Sequence, residues 1–319
     1  MIAMQTYISA AIVAFALSLF FCFALIPALR KWKAGQNILV YVKEHKKKSG
    51  TPTMGGLAFV LAAIIAAVIF IREADISVFV SLAIGLAYTI VGLLDDALKC
   101  KHKENLGLRA WQKLLFQALI AVFAGVFCFR TGLTELYIPF TDWKAEIGFW
   151  IIPLVIFVFI ATVNAVNLTD GLDGLAAGVS VPFFATIGIL IVLQSASLGQ
   201  ATLCFALVGA VIAYLFFNTS PASVFMGDTG SLALGGFAAC VTCFTGNALY
   251  VAIVGVMFVI SVISVLVQVI YYKATGGKRV FLMSPIHHHF QQKGFSESKI
   301  AYAYAPVTAL LGAICIFSM

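Results

Sequence analysis

Apolar residues in this chain come in long, nearly unbroken runs, without the 3.6- or 2-residue spacing of half-buried helices and strands. About twenty such residues cross a hydrocarbon core as a helix. On that measure the runs predict ten spans, near 6–29, 54–71, 78–94, 112–129, 149–167, 175–194, 201–217, 231–245, 249–272 and 300–318. The eighth is short, with a soft end at Gly246. The ninth is long enough to tilt or to continue as a broken helix. Between the fourth and fifth spans, Leu136, Ile138 and Phe140 alternate around Pro139, which predicts a small hairpin within 130–148. No repeat, low-complexity stretch or soluble domain interrupts the pattern, so residues 1–319 read as a single membrane domain.

The polar gaps carry a sidedness signal. With the N-terminus outside, seventeen of the 20 Lys and Arg fall in inner loops, and only Arg72, Arg130 and Lys144 fall in outer ones. Positive residues stay on the cytoplasmic side of short loops. The expected architecture is therefore an all-α polytopic membrane protein with about ten transmembrane helices and both termini outside. The first apolar run precedes Arg30, Lys31 and Lys33, the reverse of a cleaved signal peptide.

Composition agrees: 62% of the 319 residues are hydrophobic and 10% are charged, against about 25% charged in soluble domains. The net charge of +7 then has topology as its first explanation, and nucleic acid is not an expected partner. The seven cysteines are scattered through apolar runs and read as small buried hydrophobes, Cys240 and Cys243 included.

Acidic residues gather where such a protein would do chemistry. Asp95 and Asp96 end the third span, Asp170 and Asp173 follow the fifth, and Asp228 follows the seventh, so all reach the inner face. Carboxylates at span ends need water, cations or a metal. The adjacent pair Asp95-Asp96 is either a solvated helix end, neutralised by Lys99, Lys101 and Lys103, or a cation site. Asp170 and Asp173, three apart, share a face if the segment is helical. Gly171 and Gly174 weaken that helix and admit close backbone approach, and one Asp is a natural N-cap of the sixth helix. Asp228, in the polar turn Asn218–Gly230, is a natural Mg²⁺ ligand. Phe225 beside it is either interfacial packing or a platform for a base. His287, His288 and His289 on the same side suit polar contacts to phosphate or carboxylate better than a metal cage. Lys46, Lys47 and Lys48 before the Gly- and Thr-rich turn 49–56 are either topogenic or phosphate-binding. Walker A and dinucleotide fingerprints are absent. The residues point to a phosphorylated solute handled with a divalent metal, one reactant being a lipid.

Several of these segments together carry a family resemblance: Thr51-Pro52-Thr53-Met54-Gly55-Gly56, Asp95-Asp96, Asn164 to Gly174, Phe225-Met226-Gly227-Asp228 and Pro285-Ile286-His287-His288-His289-Phe290. The chain resembles the bacterial phospho-MurNAc-pentapeptide transferases (the MraY family) of the polyprenyl-phosphate N-acetylhexosamine-1-phosphate transferase superfamily. The histidine run favours them over the related GlcNAc-1-phosphate transferases. The resemblance implies Mg²⁺-dependent transfer of phospho-MurNAc-pentapeptide from UDP-MurNAc-pentapeptide to undecaprenyl phosphate, giving lipid I and UMP. It also implies a homodimer in the bacterial plasma (inner) membrane with a cytoplasmic active site. Asp228 then matches the metal ligand. Asp95, Asp96, Asp228 and His287 match catalytic positions. Lys48, Lys113, Asn167, Asp170, Asp173, Asn218, Phe225, Gln268, His288 and His289 match substrate-binding ones, Phe225 on the uracil and Gln268 beside a groove for the lipid tail. The motif of that family is described as Asp-Asp-x-x-Asp, and here Lys99 stands in the third acid's place.

Two rivals frame this expectation. A UDP-GlcNAc:polyprenyl-phosphate transferase would share the aspartates. A cation-coupled secondary transporter would place acids at the midplane between inverted repeats, and neither feature is visible here.

Overall fold

The structure, a computed structural model, describes residues 2–32, 50–72, 75–102 and 107–319. It is almost entirely helical: α1 (Ile2–Lys31), α2 (Gly56–Phe70), α3 (Ile76–His102), α4 (Ala110–Thr131), α5 (Ile151–Thr169), α6 (Leu175–Leu193), α7 (Leu198–Asn218), α8 (Gly227–Cys243), α9 (Tyr250–Val254), α10 (Val256–Ala274), α11 (Ile286–Gln292) and α12 (Glu297–Phe317). Among the described residues, 8 helices are long and apolar enough to cross a membrane. Helix α2 is apolar but has only 15 residues. The eighth expected span is the 17-residue α8, and the ninth divides at Gly255 into α9 and α10. The expected hairpin is present: β1 (Glu135–Tyr137) pairs antiparallel with β2 (Lys144–Glu146).

Helix α8 is the hub. Every residue from Thr229 to Cys243 is buried, and α2, α3 and α5 pack around it. Glycine makes the approach possible, because small residues let helix backbones close up where no hydrophobic force drives them together. A Cβ on Gly56 would sit 2.1 Å from the Gly230 Cα, and one on Gly92 would sit 2.1 Å from the Asp228 carbonyl oxygen. Cys240 and Cys243 are free thiols inside this hub.

Contacts between loops sort the helix ends into two faces. On one, Asp75 accepts from the Ser197 hydroxyl, Gln194 and Asn247 exchange side-chain hydrogen bonds of 2.9 and 2.7 Å, and Tyr137 N–H donates to Gly246. On the other lie Asp95, Lys113, Asn167 and Asp228, in mutual contact, with the 170–174 turn and α11 beside them. Helix α9 packs on α12 and α8, whereas α10 leans on α5. The chain therefore parts from α12 at Gly255, leaving Ile263, Leu266 and Ile270 of α10 exposed.

Candidate active site

Three carboxylates from two helices meet at the N-terminal end of α8. Oxygens of Asp95, Asp96 and Asp228 lie within 4.8 Å of one another, a donor set able to hold a metal ion. They are not equivalent. Asp96 is buried and caps α8 from outside: its Oδ1 accepts Asp228 N–H at 3.2 Å, and its Oδ2 accepts Thr229 N–H at 3.0 Å and the Thr229 hydroxyl at 2.7 Å. A carboxylate at a helix N-terminus satisfies orphan N–H groups and complements the dipole. Asp95 is fully buried, and its Oδ1 takes Leu108 N–H at 2.7 Å. Asp228 is the most open of the three, with 14% of its side chain exposed.

Two ammonium groups balance these charges. Lys99 Nζ lies 2.6 Å from Asp95 Oδ2, 3.8 Å from Asp96 Oδ1 and 3.3 Å from Asp228 Oδ2. Lys113 Nζ lies 2.9 Å from Asp95 Oδ2 and also donates to Asp228 Oδ2. Asn167 donates to Asp228 Oδ1 at 3.0 Å and to the Ser231 hydroxyl at 2.8 Å. One turn deeper, Asn164 Nδ2 donates to Gln117 Oε1 at 2.6 Å and so ties α5 to α4 beneath Asn167 and Lys113. The third acid, missing from the local motif, thus arrives from α8, and Lys99, expected only as a neutraliser of a solvated helix end, sits within the cluster. Its spacing of three and four from the two aspartates is the signal that marks it.

Backbone geometry closes the floor. Phe225 N–H donates to the Pro52 carbonyl at 2.8 Å, and Gly55 and Gly56 N–H donate to the Phe225 and Met226 carbonyls at 2.9 and 3.0 Å. The Thr51–Gly56 turn therefore zips onto the Phe225–Asp228 segment. Gly227, at φ +72, leaves room for Asp96, whose Oδ2 would lie 2.3 Å from a Cβ there.

The segment after α5 corrects one expectation. Residues 170–174 form a turn rather than a continued helix, because Asp170 leaves α5 at ψ 43 and Gly174 opens α6 at φ +74. The cap of α6 is Gly174, with neither aspartate in that role. Asp173 instead accepts Ala222 N–H at 3.1 Å. Packed protein, then the carboxylates of Asp228, Asp96 and Asp173, raise Asp170 well above the usual carboxylate range, with Lys99 opposing them.

The histidines divide by role. His287 is fully buried, and neither ring nitrogen has a hydrogen-bond partner among the described residues. Burial, with His288 adding to it, lowers it to about 3, so this ring is neutral at physiological pH and is no proton donor in the acid sense. The Nε2 atoms of His287 and His288 come within 2.5 and 2.8 Å of where a Gly171 Cβ would stand. His288 Nδ1 meets Gln291 Oε1 at 3.0 Å, and His289 Nδ1 accepts Leu282 N–H at 3.1 Å.

Two expected substrate-binding amides are engaged within the protein. Asn218 accepts Gly174 N–H at 3.1 Å and donates to the Val224 carbonyl at 3.0 Å, bracing the two loops. Gln268 accepts Val280 and Phe281 N–H at 3.1 and 3.0 Å and donates back to Phe281 at 3.2 Å. It still lines a cleft of about 530 Å³ with Tyr272, Lys273 and Arg279. Lys48 lies outside the described residues.

Comparison with known proteins adds to this geometry. Residues 78–246 match glycosyl transferase family 4, and residues 48–60 match signature 1 of the phospho-N-acetylmuramoyl-pentapeptide-transferases. A protein of that name from Clostridium botulinum is 42% identical over 310 residues, 96% of this chain and 94% of the relative. One from Clostridium novyi is 41% identical over 323 residues, covering 99% and 98%. One from Listeria monocytogenes serovar 1/2a is 42% identical over 297 residues, covering 91% and 90%.

Proposed function

The chain belongs to the phospho-N-acetylmuramoyl-pentapeptide-transferase family, and on that premise we propose that its cluster of three aspartates and two lysines transfers phospho-MurNAc-pentapeptide from UDP-MurNAc-pentapeptide to undecaprenyl phosphate, releasing UMP. The protein is an enzyme of the first membrane step of peptidoglycan synthesis, multi-pass in its membrane. Family membership carries the further expectation of a homodimer in the bacterial plasma membrane, with the acid cluster on the cytoplasmic side.

The observation that carries the reading is the convergence of Asp95, Asp96 and Asp228 within 4.8 Å around two ammonium groups. Hard oxygen donors in this arrangement fit Mg²⁺, which binds through one or two carboxylates and leaves positions for phosphate and water. Asp228, the most exposed, would be its first ligand, with Asp95 beside it. When bound, Mg²⁺ draws charge from the phosphate oxygens of the departing nucleotide. Asp96 holds the end of α8 and thereby sets where Asp228 points. Lys99 and Lys113 offset the mutual repulsion of the acids and favour the approach of two anionic substrates. Asn167 fixes the second Asp228 oxygen. Phe225, half-buried beside this cluster, offers its ring to the uracil, and Asp170 and His288 line the donor side. The exposed flank of α10 offers an apolar track for the lipid tail.

A phosphate monoester with a second pKa of about 6 is mostly dianionic at neutral pH and needs little help from a base. Asp95 and Asp96 already accept from lysines or backbone N–H groups. Both facts favour direct attack by the lipid phosphate over a phospho-aspartate.

The test is UMP release by purified protein in detergent. Release that needs the lipid phosphate and Mg²⁺ and falls at least about a hundredfold in Asp228→Asn supports the reading. Turnover of UDP-GlcNAc in place of the muramoyl donor would move the chain to the GlcNAc-1-phosphate transferases. Silence with both donors would overturn the assignment of the site.

A further inference from the structure

Glu297 opens α12, where an acid in the first turn ordinarily complements the helix dipole. Its carboxylate is engaged more specifically than that. Oε2 accepts Asp173 N–H at 3.0 Å, and Oε1 accepts Gln291 Nε2 at 3.2 Å. Gln291 is itself buried, and its Oε1 lies 3.0 Å from His288 Nδ1. One carboxylate thus bridges the 170–174 turn and α11, the two segments between which His287 and His288 close over Gly171.

Chemistry fixes the direction of each bond in this chain. A carboxylate only accepts, so Gln291 turns its NH₂ toward Glu297 and its carbonyl oxygen toward His288. That oxygen also only accepts, so His288 Nδ1 carries a hydrogen and donates it. We propose that Glu297 is a positioning residue: through Gln291 it sets the protonation of His288 Nδ1, and it clamps the histidine pair against the 170–174 turn. The proton placement stands by itself, and its consequence for turnover rests on the transferase reading above.

An exchange of the two side chains tests this. In Glu297→Gln, the new amide can still accept from Asp173 N–H, but it presents NH₂ to Gln291. The Gln291 amide then turns round and donates to His288, whose Nδ1 loses its hydrogen. Adding Gln291→Glu restores an acceptor toward both neighbours at unchanged total charge. Nitrogen NMR of isotope-labelled histidine, with His288 assigned through His288→Asn, is expected to show Nδ1–H in the wild type, its loss in Glu297→Gln and its return in the double variant. Over the same series kcat falls about tenfold and recovers to within about threefold, while the KM for the lipid acceptor stays constant. A wild-type Nδ1 without hydrogen, or a double variant no better than Glu297→Gln in both readouts, overturns the proposal. A wild type that shows the expected Nδ1 pattern but no turnover faults the transferase reading and leaves the clamp standing.

Discussion

The side chains of the site divide into those that hold charge and those that hold shape, and each group makes its own prediction. Lys99 contacts Asp95, a carboxylate with no exposed surface. Lys113 also faces Asp95 and Asp228, so removing Lys99 leaves three acids sharing one ammonium group, a cost bounded by the about 3–5 kcal/mol of a buried pair that loses its only partner. Lys99→Met is therefore expected to lower thermal stability markedly and to abolish UMP release, whereas Lys101→Met, two residues on and exposed, changes neither. His287 makes the pH prediction. The folded ring stays neutral down to about pH 3, while the ring in the unfolded chain protonates near 6.5. Between those values the unfolded state binds the extra proton, so stability falls as pH drops through 6.5 and keeps falling toward 3. From pH 7 to pH 5 the loss is about 2 kcal/mol. Melting curves of wild type and His287→Asn over that range are expected to differ in slope, with the variant flatter. Equal slopes would mean that the ring is accessible to protons in the folded enzyme.

Element by element, the sequence was a good guide wherever length and hydropathy decide the outcome, and a poor one wherever tertiary contact decides it. Apolar runs located the helices, and the alternation around Pro139 located the hairpin. Spacing alone left the 170–174 segment open, because α5 ends in the backbone turn at Asp170 and α6 restarts at Gly174, whose N–H is braced by Asn218 from a distant loop. Asp96 looked like half of an acidic pair, and its work as a cap belongs to a helix 132 residues away. Glu297 was hidden for the same reason, since a first-turn acid is explained locally before its partners are known. The helix crossing at Gly56 and Gly230 gives this scale its prediction. A methyl group at position 56 would meet backbone, which cannot swing aside as a side chain can. Gly56→Ala is expected to destabilise by about 1–3 kcal/mol and to lower activity with it, by prising the Thr51–Gly56 turn from Phe225. Retained activity in a destabilised variant would show that this turn does not shape the site.

For the whole molecule, the sidedness deduced from lysine and arginine fits the two faces of the fold. Arg72, Arg130 and Lys144 lie with the hairpin, and Lys99, Lys113 and Lys273 lie with the acids. All seven cysteines are free, and six are buried with Cys100 half-buried, so labelling background is low. An impermeant thiol reagent added outside intact cells is expected to modify Lys144→Cys and to spare Lys293→Cys. The reverse pattern would invert the protein in its membrane. The face bearing the hairpin has a further consequence. There, Asp75 with Ser197, Gln194 with Asn247 and Tyr137 with Gly246 bind neighbouring loops together. These bonds fasten the helix ends on the face away from the acids. A carrier must open each end in turn. On the transferase reading proposed above one fastened end suffices, because a substrate that arrives at the acid face can leave by that face or sideways into the bilayer.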